Sequence, residues 1–124
     1  MMPKKKQEKW QLLRHDNISY ANIKRSRVQG LILKGPLNRS ELLLAGHEAL
    51  AFAATYMPDV QGIALFLWTD RKKVGKEEAV ASVHWCPHGH WEWLGQYPVT
   101  DNIFEVEFDR QSEEESDAER SIST

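Results

Sequence analysis

The chain has 124 residues, of which 41% are apolar and 27% charged, with a net charge of -2 and one cysteine. This length predicts a single domain, and the apolar fraction is too high for a wholly disordered chain. No run of about 18 apolar residues is present to cross a membrane, and one thiol cannot form an internal disulfide. The first ten residues, MMPKKKQEKW, lack the apolar stretch of a signal peptide. We therefore expect a soluble cytoplasmic protein.

The small net charge is the difference between two strongly charged regions. Residues 1–40 hold ten Lys and Arg against two acidic residues, a net +8, whereas residues 41–124 hold six basic and sixteen acidic residues, a net -10. The basic region is a candidate for contact with phosphates, and the acidic region for contact with a basic partner. Charge runs of this kind also form solvated faces that only keep a protein soluble.

Three parts are expected along the chain. Residues 1–8 have no apolar pattern after the two Met and predict a flexible basic arm. Residues 111–124, QSEEESDAERSIST, contain one Ile and five acidic residues and predict a disordered acidic tail. The body between them, at 9–110, shows no internal repeat and predicts a single α+β domain.

Two strands are predicted at the start of the body, at Trp10–Leu13 and Val28–Leu33. The stretch HDNISYAN between them is rich in turn-forming residues, and Gly35-Pro36 cannot continue the second strand. The two strands should therefore pair as a hairpin with a long loop.

A helix is predicted next, because Asn38 and Glu41 have the spacing of a capping box and Pro58 marks the end. Apolar residues recur at helical spacing through this segment, at Leu42, Ala45, Ala49, Phe52, Ala53 and Tyr56. Such a broad apolar face predicts a helix that lies deep against a sheet. Gly46 allows a close approach to that sheet, although it costs roughly 1 kcal/mol of helix propensity relative to Ala.

Three more strands are predicted after the helix. Ile63–Thr69 is apolar on both alternating faces, which predicts a central strand covered on both sides. A turn at Gly75 leads to Ala79–Trp85 as an antiparallel partner, and Ile103–Asp109 alternates as a last strand. Its inward residues are expected to be Phe104, Val106 and Phe108. The predicted fold class is α+β, with one long helix packed on a mostly antiparallel sheet in the order β-β-α-β-β-β.

Several short motifs occur in an order that resembles a known family. They are Asp16, Ser19, Asn22, Lys24 and Arg25 before VQGLILKGPLNRSELLLAG, then GIALFLWTD, a Gly in the turn, AVASVHW, and the Pro-x-Gly-x-Trp stretch of CPHGHW. Over residues 10–95 this combination resembles a small bacterial domain of unknown function that is frequent in predicted lipoproteins. The resemblance implies a compact α+β module without assigned chemistry. The chain departs from the family in lacking a signal sequence and a lipid-attachment Cys and in having Cys86-Pro87-His88-Gly89 at the corner, so the extracellular setting is not carried over.

The segment VHWCPHGHW contains the candidate metal ligands His84, Cys86, His88 and His90. They lie two residues apart, so an extended segment would place them on one face, and imidazole and thiolate are ligands of zinc. Alternate residues of a strand stand about 6.6–7 Å apart, however, and the usual zinc spacings are absent. The main interpretation is a structural Pro-Gly corner packed by Trp, with a zinc-binding module as an alternative; no cofactor is expected.

No residue pattern predicts an enzyme. Cys86 with His84 or His88 as base would make a nucleophile, but no Asn or Asp that orients the imidazole is evident. A lone Cys beside a buried strand is more often a small apolar side chain. The carboxylates around Gly75 flank a solvent-facing turn, where nothing raises a carboxyl pKa.

Two kinds of binding surface are candidates. Basic clusters for nucleic acid are Lys4, Lys5 and Lys6 in the arm and Lys24, Arg25 and Arg27 in the body. A pI of about 6.2 is below the range typical of nucleic-acid-binding domains. For a protein partner the candidates are Trp91 and Trp93, because Trp is enriched at binding hot spots, together with the turn Arg71, Lys72 and Lys73.

The function predicted from these features is a small non-enzymatic cytoplasmic interaction or regulatory protein, including an inhibitor, that binds a macromolecular partner. A protein is the expected partner, and no membrane contact is expected. The alternative from a different class is a nucleic-acid-binding accessory protein that uses the basic N-terminal region. The oligomeric state is not predicted.

Overall fold

Residues 8–108, which the computed structural model describes, form five strands and one long helix. In chain order they are β1 (Trp10–Asn17), β2 (Arg25–Ile32), α1 (Arg39–Tyr56), β3 (Gly62–Trp68), β4 (Ala81–Pro87) and β5 (Asn102–Phe108). Three single-turn 3₁₀ helices lie at Arg71–Lys73, Trp91–Trp93 and Val99–Asp101. The predicted α+β class, with one helix and a mostly antiparallel sheet, is confirmed.

Residues 1–7 and 109–124 lie outside this description. With them lie Lys4, Lys5 and Lys6 of the predicted basic arm and the predicted acidic tail at 111–124, so these expectations stay predictions. Within the described residues, no helix is long and apolar enough to cross a membrane.

The strands lie in the sheet in the same order as in the chain, β1-β2-β3-β4-β5. The pairs β1–β2, β3–β4 and β4–β5 are antiparallel, which confirms both predicted hairpins. The pair β2–β3 is parallel, and α1 makes the crossover between these two strands. This parallel pair joins the two antiparallel parts of the sheet.

The strand ends at the β1–β2 turn differ from the prediction. β1 continues to Asn17 instead of ending at Leu13, and β2 begins at Arg25 instead of Val28. The residues that extend the two strands are polar. Asp16 accepts hydrogen bonds from the side chains of Arg14 on the same strand and Arg27 on the adjacent strand, and these contacts stabilise the pairing of the two strand ends. The turn itself begins with Asn17, whose side chain accepts from the backbone N–H two residues on.

Helix α1 begins and ends as predicted. The side chain of Asn38 accepts from the backbone N–H of Glu41 at 2.8 Å, and Glu41 accepts from the backbone N–H of Asn38 at 2.9 Å, which is a capping box. The buried side of the helix consists mostly of small residues, at Leu42, Ala45, Gly46, Ala49 and Ala53. Small residues let the helix axis approach the sheet, where Ile63, Leu65 and Leu67 of β3 are fully buried.

Alternation along the strands gives the sheet a helix-covered face and an opposite face, which we call the open face. The helix-covered face carries Val28, Leu65, Val83 and Val106 in one row across four strands. The same register places Arg27, Ala64, His84 and Glu105 in a row on the open face. The predicted inward side of β5 is only partly buried: Phe104 and Val106 pack against the core, whereas Phe108 at the strand end is exposed.

Gly46→Ala should destabilise the protein even though Ala favours helix by about 1 kcal/mol. A Cβ at this position would lie 2.7 Å from Cγ1 of Val83 and 3.2 Å from Cδ1 of Phe104, so the helix must move away from the sheet. We expect a net loss of about 1–2 kcal/mol in the free energy of unfolding, measured by urea denaturation. Ser40→Ala, at an exposed position of the same helix, is the control and should change stability by less than about 0.5 kcal/mol. A stabilised Gly46→Ala variant would contradict the close packing.

Candidate functional site

Part of the open face is covered by the connection between β3 and β4, residues 69–80, which we call the upper ridge. Trp68 points to the open face and donates its indole N–H to the carbonyl oxygen of Glu77 at 2.8 Å. Gly75 has a φ of +76°, as expected for the turn, and a Cβ placed on it would lie 3.2 Å from Nε2 of Gln29. These contacts bury Trp68 and Gln29 beneath the ridge.

The other end of the open face is bordered by residues 18–24 and 90–97, which we call the lower ridge. Arg25 joins the two segments, because its guanidinium lies 5.9 Å from the ring of Tyr20 and 5.6 Å from that of Trp91. The same side chain donates from Nε to the carbonyl oxygen of Ile18. Trp91 also packs edge-on against His84 at 5.6 Å. The Trp91 ring is therefore fixed as a wall beside the open face.

A trough crosses the strands between the two ridges. Its floor consists of Phe66 and His84, both half-buried, whose rings meet edge to face at 5.8 Å. Ala64, between Arg27 and His84 in the same row, is buried at 3% exposure, so the larger side chains around it form the surface at that point. Adjacent strands lie about 4.8 Å apart, so the trough extends roughly 14 Å from β2 to β5.

The β1–β2 side of the trough is basic. Asp16 lies between two arginines, with its carboxylate oxygens 2.6 Å from Nη2 of Arg14 and 3.2 Å from Nη2 of Arg27. Burial alone would raise the pKa of Asp16, but hydrogen bonds from Arg14 and Arg27 outweigh it and leave the pKa below its usual value. One carboxylate shared by two guanidinium groups leaves this side with an excess of positive charge.

The β4–β5 side of the trough is acidic. Here an open pocket of about 480 Å³ is lined by His84, Gly89, His90, Trp91, Glu92, Glu105 and Glu107. Among residues 8–108, the carboxylates of Glu105 and Glu107 have neither a hydrogen bond nor an ion pair. Glu92 faces only His90, at 3.8 Å. This side of the trough therefore presents negative charge without a compensating Lys or Arg in the described chain.

Cys86, predicted from the sequence to be a small buried side chain rather than a nucleophile, is inaccessible. Its side chain is fully buried at the end of β4. Burial raises the pKa of the Cys86 thiol to about 11, and the negative charges of Glu92, Glu105 and Glu107 add to this effect. A thiol in this environment stays protonated near neutral pH, which is the opposite of what a nucleophile requires.

The alternative zinc site at His84, Cys86, His88 and His90 is not formed. In the described range, 8–108, no group of three or more His, Cys, Asp and Glu is placed to hold a metal ion. The strand alternation that would align the four residues ends at Pro87, because His88 adopts a φ of +54° and Gly89 a φ of +79° in a turn. His84 stays over the trough, whereas Cys86 is buried.

His88 and His90 instead form an aromatic cluster with Trp93 and Tyr97 at the lower ridge. His90 packs on the ring of Trp93 at 4.1 Å, and His88 meets Trp93 and Tyr97 edge-on at 5.7 and 5.1 Å. Nε2 of His88 lies 3.1 Å from Oδ2 of Asp101. Their contacts are those of a packed corner rather than of a ligand set.

The predicted partner-binding residues lie on opposite ridges. Trp91 and Trp93 occupy one 3₁₀ helix of the lower ridge, where Trp91 borders the trough and Trp93 faces the histidine cluster. Arg71, Lys72 and Lys73 occupy an exposed 3₁₀ helix of the upper ridge. The two groups therefore do not form one cluster, although both flank the open face.

Two features of this region were not anticipated from the sequence. Phe66, Glu105 and Glu107 join His84 in the trough only because of the strand register. On the helix-covered face, Nδ1 of His15 lies 2.5 Å from Oγ of Ser26. Ser26 is fully buried, so this pair satisfies an interior hydroxyl and does not present a nucleophile.

Comparison with known proteins gives no relative: no family model, no curated protein and no solved structure matches the chain. The resemblance to a bacterial domain of unknown function stays a prediction. The function is therefore argued from the trough.

Glu107→Gln should lower the pKa of His84. Burial already holds this pKa below its usual value of 6.5, and the negative charge of Glu107 opposes that shift. Without the charge the imidazole is protonated only at a lower pH, which NMR titration of the His84 ring can measure. The contribution of His84 to stability is present above about pH 6.5 and is lost as the pH falls through its folded-state pKa. Glu78→Gln, on the upper ridge, is the control; an unchanged His84 titration in Glu107→Gln would contradict the proximity.

Cys86 should react slowly with Ellman's reagent in the native protein. With a pKa of about 11 instead of 9.0, the thiolate fraction at pH 8 is about one hundredth of that in the unfolded chain. Burial slows the reaction further, so we expect labelling at the rate of unfolding. The absorbance of the released thiolate, followed with and without urea, tests this. Rapid labelling of the native protein would show that the end of β4 is open.

Proposed function

We propose that the protein is a non-enzymatic binding protein in the cytoplasm, and that a partner protein docks in the trough. The observation that carries the proposal is an aromatic floor, made by Phe66 and His84 and walled by Trp91, that residues 8–108 leave partly exposed. An apolar centre with a charged rim is the arrangement found in protein interfaces. Trp91 is the strongest single candidate for a binding hot spot, because Arg25 and His84 hold its ring in place.

The accessible chemistry of the trough also favours binding over catalysis. The buried Cys86 thiol has a raised pKa, and the buried Ser26 hydroxyl lies on the opposite face of the sheet. The groups that line the trough are aromatic rings, the imidazoles of His84 and His90, carboxylates and guanidinium groups. A reducing compartment agrees with the single Cys86 held as a free thiol.

Nucleic-acid binding is the second candidate, and one observation favours it. Arg25, stacked on Tyr20 and Trp91, lies beside Arg27 and the exposed Lys24, and aromatic rings among basic residues are typical of single-strand binding. The opposite end of the same trough is acidic, however, and would repel phosphates. We therefore favour the protein partner.

Trp91→Ala should strongly reduce retention of the partner. The immobilised full-length chain is incubated with host extract, and the proteins retained by wild type, by Trp91→Ala and by Tyr56→Ala are compared by quantitative mass spectrometry. Tyr56 is 60% exposed at the end of the helix, so its loss removes an aromatic side chain from the helix side. We expect a protein that wild type and Tyr56→Ala retain and that falls about tenfold or more with Trp91→Ala. Circular dichroism first confirms that both variants fold.

Equal retention by Trp91→Ala and wild type would contradict the proposal. Oligonucleotide binding distinguishes the second candidate: the affinity for a single-stranded oligonucleotide must fall steeply as salt rises above about 50 mM and must decrease in Arg27→Gln. If it does both while no protein depends on Trp91, the nucleic-acid function replaces the one proposed here.

A further inference from the structure

The two ends of the trough carry opposite charges along a single row of residues. The row runs from Arg27 on β2 through Ala64 and His84 to Glu105 on β5. Arg27 is 44% exposed and shares one carboxylate with Arg14, whereas Glu105 has no hydrogen bond or ion pair within residues 8–108. A ligand that satisfies the whole row therefore has to bring an anionic group to one end and a cationic group to the other.

The trough is too narrow for a helix. Its accessible side chains are Arg27, His84 and Glu105 of one row and Phe66 and Glu107 of the neighbouring row, whereas Ala64, Ser82 and the ridge-covered Gln29 are buried. Successive rows of a face are about 6.6–7 Å apart, whereas a helix with its side chains is about 10–12 Å wide. An extended peptide fits a channel of this width.

A second copy of the chain fits less well than a peptide. Suppose that two copies pack with their open faces together. The basic end of each trough meets the acidic end of the other only if the two-fold axis that relates the copies is parallel to the strands. That rotation brings the upper ridge, with Arg71, Lys72 and Lys73, against its own counterpart. The ridges and their like charges then hold the two floors apart.

We infer that the partner contributes an extended peptide that crosses the strands in the trough, with an acidic residue at Arg27 and a basic residue in the pocket lined by Trp91, Glu105 and Glu107. An apolar side chain between them lies on Phe66 and His84. The span of roughly 14 Å from β2 to β5 corresponds to about four residues of extended chain, which sets the separation of the two charged residues. This inference rests on the proposed function and names the chemistry of the partner.

The test selects displayed random peptides of about 12 residues on the full-length protein and measures which sequences are enriched. We expect enriched peptides to carry an acidic and a basic residue about four positions apart with an apolar residue between them. Enrichment of uniformly acidic or uniformly basic peptides, of amphipathic helices, or of no peptide would overturn the inference.

Variants of the enriched peptide's binding site give the second measurement. The double substitution Glu105→Gln and Glu107→Gln removes the negative end at two exposed positions, and Arg27→Gln reduces the positive end. We expect each to weaken the selected peptide about tenfold or more by fluorescence anisotropy, while Asp59→Asn, an exposed acid outside the trough, leaves its affinity unchanged. Unchanged affinity in the trough variants would place the peptide elsewhere.

The two proposals fail in different ways. If a host protein depends on Trp91 but selected peptides do not depend on Glu105 and Glu107, the inference about the peptide is wrong and the binding function stands. If a single-stranded oligonucleotide displaces the selected peptide and itself binds in an Arg27-dependent way, nucleic acid is the occupant and both proposals are overturned.

Discussion

The packing of α1 on the sheet is the interaction on which the rest of the structure depends. Ala45, Gly46 and Ala49 bring the helix close to the fully buried Ile63 and Leu65 of β3. Residues 8–108 contain one crossover, between the parallel strands β2 and β3, so within this range a long helix covers one face of the sheet. The apolar residues that β3 places on the other face must be covered by connecting segments, and the two ridges do this.

The trough is the part of the open face that this covering leaves uncovered. The upper ridge buries Trp68, and the lower ridge places Trp91 beside His84, but neither ridge reaches the Phe66 ring completely. Because the sheet order equals the chain order, Arg14 and Arg27 of the β1–β2 hairpin and Glu105 and Glu107 of β5 lie on opposite sides of this gap. The net charge of -2 therefore conceals a spatial separation of charge on one surface.

The helix and the two hairpins could be predicted because their signals are local. Asn38 and Glu41 mark the helix start, Pro58 marks its end, and Gly75 adopts the positive φ that its turn requires. The strand ends near Asp16 were missed because an ion pair between strands, rather than an apolar pattern, extends the pairing. The predicted β5 alternation was right, because Phe108 also lies on the helix-covered side and lines a pocket with Leu42, although it stays 39% exposed at the strand end.

Arg27, His84 and Trp91 were each named as candidates from the sequence, but their assembly into one site could not be predicted, because it depends on register and on turn geometry. Nothing local to Arg27, His84 or Glu105 indicates that they share a row; the parallel pairing of β2 with β3 decides it. The alternate spacing of the histidines suggested that they share one face of a strand. This was misleading, because β4 ends at Pro87 and His88 adopts a left-handed backbone conformation in the turn that follows. Side chains that looked equivalent in the sequence therefore have different environments.

The parallel pairing also makes the proposed binding surface depend on both halves of the sheet. The β1–β2 hairpin supplies Arg27, and the β3–β4–β5 meander supplies Phe66, His84 and Glu105, so each half alone has only one end of the trough. The backbone amides at the β2–β3 seam connect the halves, and any local opening at that seam separates the residues of the site. A ligand that contacts both halves of the trough therefore stabilises the pairing of β2 with β3. Its binding free energy adds to the protection of the β2–β3 backbone amides against hydrogen exchange.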